Sequence, residues 1–497
     1  MSVFFKDISP GNPVRTGDVE KLLEPLGLTV SPDESADYTR LLAAVHDCAE
    51  RVSNLPDYQP VPDTERFRRH DIHLPTEDEQ AYGHAWAHRF IIRGDALATS
   101  NMKGKQVCVK DCIAVANVPQ FFGSDAFPAW TPAVDATVVT RVLEAGADIV
   151  GTATLPKELS TIPIKLATLL GGSTSGGAAL VAGGLVDVAI GTDQGGSIRV
   201  PASLCGCVGF KPTHGLVPYT GITSGDQIDD HAGPIARSVD EIADCLDTIA
   251  GYDGVDDRSL AAPPPGSLTY KKSLKSFGSR LDGVRVAVLK EGYDNDLMQP
   301  GVRRSFLEAV KRIETLGGAV KEVSIPLHKE GPSIWTIQQR ISGTSGILGH
   351  ANGRRGLYLT EFEHARLPWT AQNFDKLFPS TKNTVINGLY LTHEFPGLYA
   401  KTVNIGRRIA DAYETTFKEY DSFEPSMGMT VNTAVFNVTG HPALSLPIGW
   451  SEAVDDDQTM LPVGMQIVGG LWQETQILRV AKAVEQSFDW KFPYSLA

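Results

Sequence analysis

The chain has 497 residues, enough for one large core or two to three smaller ones. It is 42% hydrophobic and 21% charged, an ordinary globular composition with no uninterrupted apolar run of membrane-spanning length. A formal net charge of −14 argues against a nucleic-acid binder, because neutralising phosphates takes clustered Lys and Arg.

The opening MSVFFKDISPGNP has no basic segment followed by an apolar one. A secretory leader is therefore not expected, and the cytoplasm is the expected compartment. The six cysteines, at 48, 108, 112, 205, 207 and 245, read as reduced thiols. Cys205 and Cys207 stand too close for the usual zinc pairing, and no second pair is near. His84 and His88 would face one another a turn apart on a helix, but no HExxH glutamate accompanies them, and no metal is expected.

In chain order, residues 1–95 read as an N-terminal helical region and 96–497 as the main domain. A helix is predicted over 34–52, where Tyr38, Leu41, Leu42, Val45, Cys48 and Val52 recur at helical spacing. A Pro-rich connection and a charged stretch follow. From about residue 100 the pattern turns α/β, with short strands predicted at 106–109 and 113–118. A helix over 136–145 has Asp135 as its candidate cap and Gly146 as its stop. Strands are expected at 148–152, 187–191, 284–289 and 319–325, and helices at 302–316 and 474–487. Strands alternating with helices predict a large mixed β-sheet covered by helices.

The stretch 171–221, GGSTSGGAALVAGGLVDVAIGTDQGGSIRVPASLCGCVGFKPTHGLVPYTG, places two Gly/Ser turns around a helix and a strand. Glycine permits positive φ and close backbone approach. A loop with inward N–H groups ahead of a helix is an anion cradle, suited to a phosphate or to a developing oxyanion. The phosphate motifs GxxxxGK[ST] and GxGxxG are absent, as is the GxSxG nucleophile elbow. A purely structural Gly/Ser loop also fits this pattern.

The stretch resembles the amidase-signature family in its GGSS-type loop, its GTDxGGSIRxPA segment and its GxKPTxG segment. The likeness continues through Val109-Lys110-Asp111, Thr137-Val-Val, Asp230-His-Ala-Gly-Pro234 and Asn432–Pro447, over roughly residues 100–490. Gln194 and the LVPYTG stretch look most like the bacterial enantioselective amidases associated with nitrile hydratases. The resemblance implies Ser197 as nucleophile, Ser173 as proton bridge and Lys110 as general base. It also implies an oxyanion hole from the backbone N–H groups of Gln194, Gly195, Gly196 and Ser197, with Asp193 and Arg199 as structural support. Thr174 and Ser175 remain alternatives for the bridge, and Cys112 reads as a packing residue.

The chemistry is consistent. A serine hydroxyl needs a base to become a nucleophile, and a lysine serves only when burial or nearby positive charge lowers its pKa. The expected reaction is hydrolysis of a small carboxamide to the carboxylate and ammonia or an amine, without a cofactor. A small-molecule amide is the expected partner, with neither nucleic acid nor membrane involved; the sequence does not give the oligomeric state, although the resemblance is to enzymes among which a homodimer is common. The alternatives are the amide-releasing subunit of a transamidation complex and a non-catalytic amidase-like protein. The latter is suggested by two stretches shorter than the family pattern, 160–170 and 422–431. The second shortening predicts a missing sheet strand.

Overall fold

The computed structural model describes residues 8–80, 84–155, 172–296, 298–423, 429–453 and 459–489. The chain divides into two compact units, Met1–Gln59 and Pro60–Ala497. The first is organised by helix α1 (Pro32–Ser53). Ser31 accepts the Glu34 N–H, the Glu34 carboxylate returns to the Ser31 N–H, and Pro32 occupies the first turn, where no N–H is needed. Asn12 donates to the Ala43 carbonyl at 2.7 Å and ties the preceding segment to this helix.

Among the described residues, the second unit is built on one mixed sheet of twelve strands in the order β1-β2-β4-β3-β5-β7-β6-β11-β12-β10-β8-β9. The strands are β1 (Arg69–His73), β2 (Trp86–Ile92), β3 (Gln106–Lys110), β4 (Asp148–Ala153), β5 (Val188–Asp193) and β6 (Val208–Lys211). They continue as β7 (His231–Ala236), β8 (Arg285–Leu289), β9 (Ala319–Val323), β10 (Ser422–Phe423), β11 (Ala443–Glu452) and β12 (Met460–Val468). β3 runs parallel to β4 and β5, while β5 and β7 pair antiparallel from Val188↔Ala236 to Asp193↔His231. Every residue of β5 and β7 is buried, as expected for central strands covered on both faces.

Several sequence expectations change here. The unit boundary falls at 59–60 instead of 95, because β1 and β2 hydrogen-bond into the sheet and belong with it. Helix α1 ends at Ser53, and among the described residues of 60–95 a single 3-10 turn at Glu77–Glu79 is the one helical element. His88 lies on β2 and His84 in a turn before it, with φ 66°, so the two do not share a helical turn; the His88 ring stacks on Phe121. Residues 113–118 form no strand. The Ile113 N–H turns back to the Lys110 carbonyl, leaving only the isolated bridge Ile113↔Ile222.

Asp135 does not cap helix α2 (Thr137–Glu144); its carboxylate accepts the Ala116 N–H and pairs with Arg69. The strand expected to be missing after residue 421 is present as the two-residue β10, between β12 and β8. It supplies the backbone partners that an unfilled position would lack. The shortened stretch 160–170 lies outside the described residues, as do 424–428 of the second.

Candidate active site

The site forms where β3 and β5 end side by side. Parallel pairing of Val107, Cys108 and Val109 with Val188, Ala189 and Ile190 carries Lys110 and Thr192 to the same edge. The Gly172–Ser173 turn precedes helix α3 (Ser175–Ala182), and the turn after β5 leads into helix α4 (Arg199–Leu204). The Thr174 N–H donates to the Ser197 carbonyl at 3.2 Å, so the two serine-bearing turns are joined through backbone.

Lys110, Ser173 and Ser197 all line one cleft of about 600 Å³, with Thr192, Gln194 and Trp335 among its other walls. Lys110 is buried, and its Nζ lies 2.6 Å from Ser173 Oγ and 2.8 Å from Thr192 Oγ1. Burial disfavours the ammonium and lowers the Lys110 pKa, against the opposing pull of Cys112, Asp193 and Asp230. Thr174 and Ser175 are fully buried at the start of α3, and the Thr174 hydroxyl is directed to the Thr192 carbonyl. Of the three candidates for the bridge, Ser173 is the one hydrogen-bonded to Lys110. Cys112 also lines the cleft, where burial raises its thiol pKa and keeps it neutral.

The turn that carries Ser197 is held by an ion pair beneath it. Asp193 accepts the N–H groups of Gly196 (2.7 Å) and Ile198 (3.1 Å), and Arg199 reaches both of its oxygens at 3.0 and 2.8 Å. Burial works to raise the Asp193 pKa, but the Arg199 guanidinium overrides it and holds the carboxyl well below the usual range. Arg199 also donates to the Thr433 carbonyl, Gln466 and Asn437, so a fully buried cation is satisfied on all sides.

One expected oxyanion donor is therefore taken: the Gly196 N–H is committed to Asp193. The N–H groups of Gln194, Gly195 and Ser197 have no protein acceptor among the described residues. Two side chains far away in sequence fix this turn from the carbonyl side. Trp335 Nε1 donates to the Gln194 carbonyl at 2.6 Å, and the Thr433 hydroxyl to the Gly195 carbonyl at 2.5 Å. A peptide's C=O and N–H share a plane and point oppositely, so holding the Gln194 oxygen aims the Gly195 N–H. Gly195 must be glycine, since a Cβ there would lie 2.5 Å from the Trp335 ring.

Residue-by-residue reading of the motifs missed Trp335, Thr433, Asn437 and Gln466. Thr433 and Asn437 fall within the matched NTAVFN segment, a signal available in the sequence. Nothing in the local pattern marks Trp335, on helix α5 (Gly331–Ile347), 141 residues from its partner.

A central mixed sheet with a Lys–Ser pair beneath a Gly-Gly-Ser turn defines an amide-bond hydrolase class, and comparison with known proteins agrees. Residues 93–424 and 407–478 match the family described as Amidase. An enantioselective amidase from Rhodococcus rhodochrous is 32% identical over 426 residues, covering 76% of this chain and 79% of that protein. A glutamyl-tRNA(Gln) amidotransferase subunit of Cyanothece sp. is 29% identical over 422 residues, covering 78% and 85%. Among solved structures, the peptide amidase from Stenotrophomonas maltophilia superposes with a TM-score of 0.66 at 26% identity, over 80% of this chain and 85% of that one. This chain belongs to the amidase family and is a hydrolase acting on amide bonds. Among the described residues no helix is long and apolar enough to cross a membrane.

Proposed function

We propose that the chain hydrolyses small carboxamides through an acyl-enzyme on Ser197. Neutral Lys110 takes the Ser173 proton while Ser173 takes that of Ser197, whose Oγ then bonds to the substrate carbonyl carbon. The oxyanion is held by the Gly195 N–H, with those of Gln194 and Ser197 beside it. Collapse of the tetrahedral intermediate breaks the C–N bond, and the proton returns through Ser173 to the leaving nitrogen. Water repeats the sequence on the ester, releasing the carboxylate and restoring Ser197. The observation that carries this reading is the buried Lys110, its pKa lowered by burial, at 2.6 Å from Ser173 in the cleft that Ser197 also lines.

The test is labelling with a fluorophosphonate probe followed by peptide mass spectrometry. Ser197 is expected to carry the label, and Ser197→Ala to abolish both label and turnover of simple amides; a folded protein left unlabelled refutes the assignment.

Relatives that belong to glutamyl-tRNA(Gln) amidotransferases favour a second reading, release of an amide from glutamine within a complex. Turnover of simple amides by the isolated chain counts against it.

A further inference from the structure

Phe122 stands in the wall of the Ser197 cleft with a backbone conformation that its side chain disfavours. Its φ is 52°, in the left-handed region, where a bulky residue is rare and persists only when its surroundings hold it. The hold comes from Asp111, the residue after Lys110. Its buried carboxylate accepts the N–H groups of Phe121 at 3.0 Å and of Phe122 at 2.8 Å. The Phe121 ring stacks on His88 of β2, which ties the same turn to the sheet. Phe122 is thus fixed to the strand end that carries Lys110.

Two spaces meet at this residue. Among the described residues, Phe122 is the one that lines both the Ser197 cleft and a pocket of about 190 Å³ whose other walls include Phe127, Trp130, Phe362, Trp369 and Phe378. The Phe362 ring packs on Phe122 with centroids 4.4 Å apart, and the Trp130 ring stacks on it at 6.4 Å. Swinging Phe122 aside would forfeit these ring contacts, so a group that grows along the cleft towards it meets a backed surface.

The chemistry of the cleft decides which group that is. A primary carboxamide loses its nitrogen as ammonia, so every remaining substrate atom belongs to the acyl group. Leu155, Val200 and Leu204 line the same cleft and, with Phe122, suit an apolar acyl chain.

We propose that Phe122 is a specificity-determining residue whose ring ends the acyl site and limits the length of chain that Ser197 can take from an amide. The same ring closes off the aromatic pocket, which becomes additional acyl space when the ring is removed. The inference rests on the reading of the Ser197 cleft as the place of amide cleavage.

The test is a series of unbranched ω-phenylalkanamides, from 2-phenylacetamide to 8-phenyloctanamide, read as kcat/KM against chain length. In the wild type the value should rise to a maximum and then fall. Phe122→Gly suits the positive φ while deleting the ring, so the turn is kept and the wall is lost. Its maximum should move to longer chains, with kcat/KM for amides beyond the wild-type maximum raised about tenfold or more, the usual worth of room for a methylene. Phe122→Leu keeps part of the side chain and should move the maximum by less; it decides the matter if the glycine variant does not fold. Phe127→Ala should leave the wild-type profile unchanged but remove part of the gain when added to Phe122→Gly, because Phe127 lines the aromatic pocket and not the cleft. A wild-type profile with no fall at long chains, or a maximum that neither Phe122 variant moves, overturns the proposal. A gain that Phe127→Ala leaves whole overturns the part given to the aromatic pocket.

Calorimetry on Ser197→Ala separates this from the hydrolysis reading. Binding whose length optimum moves with Phe122→Gly, without turnover by the wild type, supports the wall and refutes the hydrolysis. Turnover with a length optimum that the Phe122 variants leave in place refutes the wall and leaves the hydrolysis standing.

Discussion

Replacing Arg199 by Met tests whether the ion pair beneath the Gly195–Ser197 turn is what holds it. The guanidinium is fully buried and makes five hydrogen bonds: two to the Asp193 carboxylate and one each to Asn437, Gln466 and the Thr433 carbonyl. Methionine fills much of the volume but leaves a buried carboxylate facing only N–H and amide donors. Breaking a buried pair from one side costs about 3–5 kcal/mol, roughly a 3–5 °C lower melting temperature for a unit of this size. Asp193 also anchors the Gly196 and Ile198 N–H groups, so amidase turnover should fall with the stability.

The pH dependence carries the sharper signature. In the wild type the folded-state pKa of Asp193 is depressed, so its contribution to stability is present above the unfolded carboxylate pKa and is lost only in strong acid. Without Arg199, burial raises that pKa. The variant should then lose stability as pH rises through the new value, opposite to the trend in the parent. Thermal unfolding from pH 5 to 9 reads this directly, and Asp193→Asn added to Arg199→Met should recover part of the loss. A melting temperature unchanged from the wild type, or a double variant worse than the sum of the singles, refutes the account.

Lys110→Met should lower kcat/KM by at least about 10²–10⁴ while leaving the melting temperature at or above the parental one, since the buried lysine is itself a cost that deepens as pH falls below its unfolded pKa. In the unsubstituted enzyme kcat/KM should fall as pH drops through the lowered Lys110 pKa, and a flat acid limb down to the unfolding pH would remove the lysine as base. Trp335→Phe keeps the ring but not the N–H on the Gln194 carbonyl; kcat is expected to fall about tenfold with KM little changed, as measured by initial rates, because only the aim of the Gly195 N–H is affected. Gly195→Ala should be inactive through collision with the Trp335 ring, and Trp335→Leu added to it should restore measurable turnover if that contact is the cause.

Much of the candidate site was legible because its parts are local. The GTDQGGSIR run places a strand end, an anchoring aspartate, two glycines, a serine and an arginine within nine residues, and the structure keeps them together around Asp193. The Gly196 N–H, which bonds Asp193, looked no different from its neighbours, since which N–H turns inward depends on backbone angles that a Gly-Gly pair leaves open. The capping error at Asp135 has a similar origin: an acidic residue before a helix fits a cap, but a buried arginine 66 residues upstream competes for it. Residues 60–95 read as part of an N-terminal helical region because edge strands with exposed faces, such as β1, show no apolar alternation.

The sequence by itself determined the α/β architecture, the two Gly/Ser turns and the set of residues able to perform serine-based amide chemistry, because those depend on periodicity and residue type within short windows. Tertiary structure alone decided which bridge candidate meets Lys110, which N–H groups stay open, and that Trp335 and Thr433 hold the Gln194 and Gly195 carbonyls of the turn before Ser197. These are consequences of strand order and helix packing, which bring residues more than a hundred positions apart within hydrogen-bond distance. No local pattern encodes a contact whose two halves are separated by that much chain.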